Sequence, residues 1–313
     1  MPTTVEVIAE RVRTASTPGR RTDAHRVALA VEGGSSRGAY ASGMLLGLEE
    51  LGLVSAFDAV YGSSAGALGA AWLLAGDVRT GVGIWTDPVL MSRVMNPRNL
   101  LRRRPIVDLD PLLGDSSAVL PGAVIDSPVE FHPLATDAAT GLSTDLRPFI
   151  HDDATLRTAL RASAALPALA GPPVRLAGRR FIDASIAEPL PYRTALAQGA
   201  THVLLLRTRP HTAVPTPAPL AERLIIPWFL RAQAGGALDA WRDYYRRWVR
   251  DDAALADHPA VLSLRPPAGE GEIGLVETDV ALLRNAIGTG RRAAHTTFGF
   301  LARDNACARA RSK

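Results

Sequence analysis

The 313-residue chain has almost no cysteine and almost no lysine: Cys307 and Lys313 are the only examples of each. One cysteine excludes an internal disulfide framework and any metal site built on several thiolates. No His, Asp or Glu grouping falls at metal-ligand spacing, so no metal and no cofactor are expected. Aromatic residues make up only 5% of the chain. No apolar run approaches the ~20 residues of a membrane span. The opening stretch MPTTVEVIAERVRTASTPGRRTDAHR lacks the apolar segment of a secretory signal. Together these absences predict a cytoplasmic chain whose contact with lipid is at most peripheral.

Apolar residues, by contrast, reach 47%. That supplies a sizeable core and excludes a disordered chain. The length suits one large α/β domain or two small ones. The net charge is +4, and the cations are nearly all arginines dispersed along the chain. Dispersal argues against nucleic-acid binding and remains compatible with an anionic membrane surface. The oligomeric state has no sequence signal.

The most informative stretch is Phe57 to Gly66. Phe57–Tyr61 reads as a short buried strand and Ala65–Ala75 as a buried helix. Between them lies Gly62-Ser63-Ser64-Ala65-Gly66, a G-x-S-x-G. Composition alone gives about 0.1 such matches in a chain of this length, so the strand–turn–helix context carries the weight. A sharp turn there lifts Ser64 Oγ out of the sheet, and glycines at Gly62 and Gly66 let strand and helix approach. The helix N-terminus favours developing negative charge. The alternative is a small-residue turn that only packs a strand on a helix.

Arg26–Glu32 reads as a second buried strand, running into Gly33-Gly34-Ser35-Ser36-Arg37-Gly38 and then a helix from Ala39 to Leu51. Such a turn offers backbone N–H groups to an anion. A dinucleotide-binding turn is one reading, but the pattern departs from G-x-G-x-x-G and lacks the later acidic residue. An oxyanion hole is the other.

Residues 1–25 read as a mobile arm, 26–208 as the main domain, and 209–313 as a helical extension that completes or caps it. The triple arginine at 102–104 reads as a solvated face. Pro128–Thr136 is strand-like, with Pro133 suggesting an edge or a bulge. Leu156–Ala165 is helical. Val174–Leu176 and Arg179–Asp183 form a hairpin. Tyr192–Gln198 is a short helix, Thr201–Thr208 a central strand, Val261–Leu264 a last strand and Leu275–Ile287 a last helix. Alternating strands and helices imply a mainly parallel sheet covered on both faces. Three of the five tryptophans fall within 223–250, interleaved with arginine. That region reads either as a helix packed on the sheet or as an interfacial surface.

A serine nucleophile needs a base. The seven histidines are 25, 132, 151, 202, 211, 258 and 295; only His211 falls in a suitable late loop. Asp183, at a strand end entering Asp183-Ala184-Ser185, is the better candidate. A carboxylate serves as a base only where desolvation raises its proton affinity. The competing reading is an aspartate capping its own turn.

In order along the chain, the turn Glu32–Tyr40, the elbow Gly62–Gly66, the block Arg161-Ala162-Ser163-Ala164-Ala165-Leu166-Pro167 with Gly171-Pro172-Pro173-Val174, and Asp183-Ala184-Ser185 with Glu188-Pro189-Leu190-Pro191 resemble the patatin-like phospholipases. The resemblance covers roughly 26–208. It implies a three-layer α/β/α fold with a mainly parallel central sheet, and a lipid acyl hydrolase working through an acyl-serine intermediate. It further implies Ser64 as nucleophile, Asp183 as base, and an oxyanion hole from Gly33, Gly34, Ser35 and Ala65. Ser36, Arg37, Gly38, Gly62, Gly66, Ala184 and Ser185 would support these motifs. Two positions depart from the family pattern: Ser35 and Ala184 stand where it has glycine. A side chain held at positive φ costs on the order of 1 kcal/mol. Two further readings stand beside this one: a lipid- or partner-binding module of low activity, and a Ser-His-Asp esterase.

Overall fold

Val27–Val31 (β1) is an unbroken apolar run, and all five of its side chains are buried. Burial on both faces is what a central parallel strand requires. β1 is flanked by Ala59–Ser63 (β2) and His202–Leu206 (β7), both parallel to it. Glu130–Asp137 (β3) and Val261–Leu264 (β8) extend the parallel run on either side. Ser143–Asp145 (β4), Val174–Leu176 (β5) and Arg179–Ile182 (β6) add an antiparallel margin. The sheet order is β5-β6-β3-β2-β1-β7-β8, with β4 also on β3. The computed structural model describes residues 2–102, 104–114, 121–213, 216–269 and 273–311.

Helices cover both faces. In chain order they are α1 (Thr4–Arg13), α2 (Gly38–Glu50), α3 (Ala65–Leu74), α4 (Val78–Thr86), α5 (Pro88–Val94), α6 (Asp110–Leu113), α7 (Pro121–Ile125), α8 (Asp153–Ser163), α9 (Tyr192–Ala197), α10 (Leu220–Gln233), α11 (Leu238–Arg242), α12 (Tyr244–Leu255) and α13 (Val280–Arg311). Alternation along the strands splits the core in two. Leu29, Val60 and Leu204 face α2, α3 and α13. Ala28, Tyr61 and Val203 face α9 and the end of α12. The result is the expected three-layer α/β/α architecture with a mostly parallel sheet.

Three expectations need correction. The arm at 1–25 contains a helix. Thr3 and Glu6 form a capping box at the start of α1, and Val7 and Ile8 are buried. Its buried anchor is a cation. Arg11, with no exposed side-chain surface, pairs with Asp23 at 2.9 Å and Asp58 at 2.8 Å, and donates to Ala56 O and His25 O. Pro133 lies inside the sheet, not at an edge. Its carbonyl accepts from Leu146, one residue past the end of β4, so the missing N–H falls where that ladder stops. The last helix begins at Val280, because Asp279 Oδ1 caps the N–H groups of Ala281 and Leu282. It then runs past Gly288 and Gly290. A Cβ on Gly290 would strike Tyr40 O of α2, so the glycine permits close packing there.

Candidate active site

The register of β3 explains why two distant segments meet. Leu134 pairs with Ser63 of β2 and with Asp145 of β4. Thr136 pairs with Ser143 of β4 and with Ile182 of β6. β4 therefore holds one edge of β3, and β2 and β6 share the other, end to end. β2 runs parallel to β3 and stops at Ser63; β6 runs antiparallel and stops at Ile182. The next residue of each, Ser64 and Asp183, is brought to the same level of β3 from opposite directions.

Ser64 Oγ donates to Asp183 Oδ2 at 2.8 Å. Ser64 is 4% exposed and Asp183 is fully buried. The elbow is strained: Ser64 has φ 55° and ψ −125° immediately before α3. A non-glycine residue there persists only because its surroundings fix it. A Cβ on Gly62 would strike Ala67, and one on Gly66 would strike Val31 O and Glu32 O. The Ser64 N–H donates to Ser163 Oγ at 3.0 Å, which pins the elbow from α8.

Asp183 uses both carboxylate oxygens. Oδ1 accepts from the Ser185 N–H at 2.8 Å, while Oδ2 takes the Ser64 hydroxyl. One carboxylate oxygen thus caps its own turn and the other accepts from the Ser64 hydroxyl. Thr136 Oγ1 donates to Asp183 O at 2.8 Å, and the Asp183 N–H donates to Ala165 O at 2.9 Å. Burial pushes the Asp183 carboxyl above the usual carboxylate range, against the opposing hydrogen bonds from Ser185 and Ser64. No histidine is bonded to Ser64 among the described residues; His132 pairs with Asp145 and His202 with Pro2 O.

The glycine turn after β1 packs directly on the elbow. A Cβ on Gly33 would lie 2.8 Å from Ser63 O and 3.0 Å from Ser64 Cβ. Gly38 opens α2 against Ala65. The Gly33 N–H is not available to a ligand, because it donates to Pro189 O at 3.3 Å. That corrects one of the four expected oxyanion donors. The N–H groups of Gly34, Ser35 and Ala65 have no acceptor among the described residues. Arg37 closes the turn by donating its N–H to Gly34 O at 3.1 Å. Glu32 ties the turn to the end of β7 by accepting from the Thr208 N–H.

Ser36 links the turn to the C-terminal region. Its N–H donates to Leu275 O at 3.2 Å, and its hydroxyl donates to Glu277 O at 2.9 Å and accepts from the Glu277 N–H at 3.0 Å. The departures from the family pattern are unequal in effect. Ala184 lies in a one-turn 3-10 helix and has no positive φ, so its methyl group imposes no backbone strain. Ser35 has φ 52°. Ser35→Gly is therefore expected to raise the unfolding free energy by up to about 1 kcal/mol, read from chemical denaturation.

Ser64 lines a narrow cleft. Its walls are apolar, with Ala65, Trp72, Trp85, Met91 and Met95 among them. Much of the wall comes from α4–α6 and the strand-like link around Val107, a region whose role was not legible in the sequence. Arg102 and Arg104, nearby, are exposed as expected; Arg103 lies outside the described residues. No helix of the described residues is long and apolar enough to cross a membrane.

The chain shares 26% identity over 202 residues with an uncharacterized protein, YjjU, of Escherichia coli (strain K12), across 61% of this chain and 54% of that one. It therefore spans about half the length of that relative. Among solved structures, VipD from Legionella pneumophila superposes with a TM-score of 0.47 at 12% identity, over 88% of this chain and 67% of that one. The sequence model of the Patatin family, described as patatin-like phospholipase, matches residues 29–196. That match spans more than half of the chain and includes the β1 turn, the Ser64 elbow and the Asp183 turn: the chain belongs to the patatin-like phospholipase family.

Proposed function

We propose that the protein is a lipid acyl hydrolase in which Ser64 attacks an acyl ester and Asp183 is the general base. The observation that carries this reading is the 2.8 Å hydrogen bond from a hydroxyl on a strained elbow to a fully buried carboxylate. Desolvation raises the proton affinity of Asp183, which brings a carboxylate closer to the task of a base. In the first step Ser64 Oγ forms a bond to the ester carbonyl carbon and its proton passes to Asp183 Oδ2. The carbonyl oxygen becomes the oxyanion, within reach of the N–H groups of Gly34, Ser35 and Ala65 at the head of α3. Collapse of the intermediate breaks the bond to the alcohol oxygen, which takes the proton from Asp183. Water then attacks acyl-Ser64, giving its proton to Asp183, and the carboxylic acid and free serine are released.

The apolar cleft beside Ser64 suits an acyl chain, and a lipid substrate implies peripheral contact with a lipid surface. The test is hydrolysis of a short-chain chromogenic ester and of dispersed phospholipid by wild type and Ser64→Ala. We expect Ser64→Ala to fall by at least about 10³-fold on both, with an unchanged melting curve. Full activity in Ser64→Ala would overturn the assignment. A folded wild type without turnover on either substrate would favour the binding-module reading.

A further inference from the structure

One face of α10 is both apolar and open to solvent. Leu220, Leu224, Ile225 and Trp228 are 75%, 73%, 51% and 70% exposed. Their spacing places them on one side of the helix. Single exposed leucines are ordinary, but four large apolar side chains on one helical face mark an interaction surface. Exposed Arg223 and Arg231 accompany them, and Glu222 is the single acidic residue of the helix. Leu142, 66% exposed, lies in a turn whose Gly141 abuts Gly236 just beyond α10.

The opposite face of α10 fixes where that surface stands. Leu230 shares a core cluster with Ile182 and Ile186, with Ile226 and Phe229 packed against it. Ile182 and Ile186 bracket Asp183. Whatever covers the outer face of α10 is thus held one helix away from the Ser64–Asp183 pair.

We infer that the outer face of α10 is a docking surface for an anionic lipid bilayer. Two features select a bilayer. An apolar stripe with tryptophan, flanked by arginine, matches the layering of an interface: hydrocarbon below, anionic headgroups above. The helix also packs against the residues that bracket Asp183, so a bilayer on its outer face would lie one helix from the Ser64–Asp183 pair. The inference rests on the acyl hydrolase reading for its purpose, but its test does not depend on turnover.

The experiment is vesicle flotation of the Ser64→Ala chain, with phosphatidylcholine vesicles and with vesicles of equal parts phosphatidylcholine and phosphatidylglycerol. The expected result is binding to the anionic vesicles with about 25-fold preference, the two arginines contributing about fivefold each. Leu224→Ser with Trp228→Ser should lower binding by at least about tenfold. Arg223→Gln with Arg231→Gln should remove most of the anionic preference. In the active chain, both pairs should hydrolyse the short-chain soluble ester at the wild-type rate and lose activity on vesicles. Binding to anionic vesicles by a chain that hydrolyses nothing would support the surface while removing the hydrolase reading. No flotation, or equal flotation of the Leu224/Trp228 variant, would overturn the inference. So would a dimer of the parent chain that this variant abolishes, since the face would then belong to a second copy.

Discussion

Asp183→Asn is expected to lower ester hydrolysis by about 10²- to 10⁴-fold, the usual contribution of a positioned base, and to raise stability at neutral pH. The two effects have one cause. The carboxyl is fully buried and held above its ordinary range by desolvation. Its folded-state pKa therefore exceeds the unfolded value of about 3.9. Above that value the native state binds more protons than the unfolded state, so stability falls as pH rises until the folded pKa is passed. Asparagine removes this titration while keeping an oxygen for the Ser185 N–H and a donor for Ser64. The stability difference between variant and wild type should thus be small near pH 4 and grow toward neutrality. Chemical denaturation at several pH values measures it. Hydrolysis by the wild type should follow the opposite course, rising with pH as Asp183 ionises. A variant that loses stability as well as activity at pH 7 would mean that the buried carboxylate is a structural necessity.

Arg11→Met is expected to cost about 3–5 kcal/mol of folding free energy, the range for removing one partner of a buried ion pair. Methionine keeps most of the buried volume and removes the charge. Asp23 and Asp58, which Arg11 joins at 2.9 and 2.8 Å, would lose their common partner, and Ala56 O and His25 O would lose a donor. The Arg11 guanidinium holds the Asp23 carboxyl below its ordinary range. That part of the stability is present above the unfolded pKa and lost as pH falls through the folded one, so Arg11→Met should also flatten the acid limb of the stability curve. A shift under 1 kcal/mol in denaturation would show that α1 docks by its apolar residues, Val7 and Ile8, alone.

The parts of the site that were legible in the sequence depend on local backbone chemistry. Gly62 and Gly66 mark a turn that tolerates no Cβ. The run Gly33–Gly38 marks a strand-to-helix loop, and Asp183 marks a strand end. What was not legible depends on partners far away in the chain. Gly33 has its N–H taken by Pro189 O, 156 positions later, which no local pattern announces. Ser163, whose hydroxyl holds the Ser64 N–H, was visible only as one residue of a motif block. The cleft wall from Gly81 to Leu112 is built by short helices of four to nine residues, whose packing against one another no local pattern announces. α1 was misread although Val5, Ile8, Ala9 and Val12 fall at helical spacing after a Thr3–Glu6 capping box, because the stretch that follows it is irregular. The region 223–250 was read as either packed or interfacial, and the structure divides it. Trp241 packs beside the Ile182 cluster and Trp248 lies under Arg209, while Trp228 faces solvent.

The central claim is that Asp183 activates Ser64. Reaction with a fluorophosphonate, followed by mass spectrometry of the peptides, tests it most directly, because the reagent phosphonylates a serine only where a base withdraws its proton. The expected result is a single adduct on Ser64 in the wild type, at a rate lowered by at least about 10²-fold in Asp183→Asn. An adduct on another serine, or equal rates in the two chains, would contradict the account.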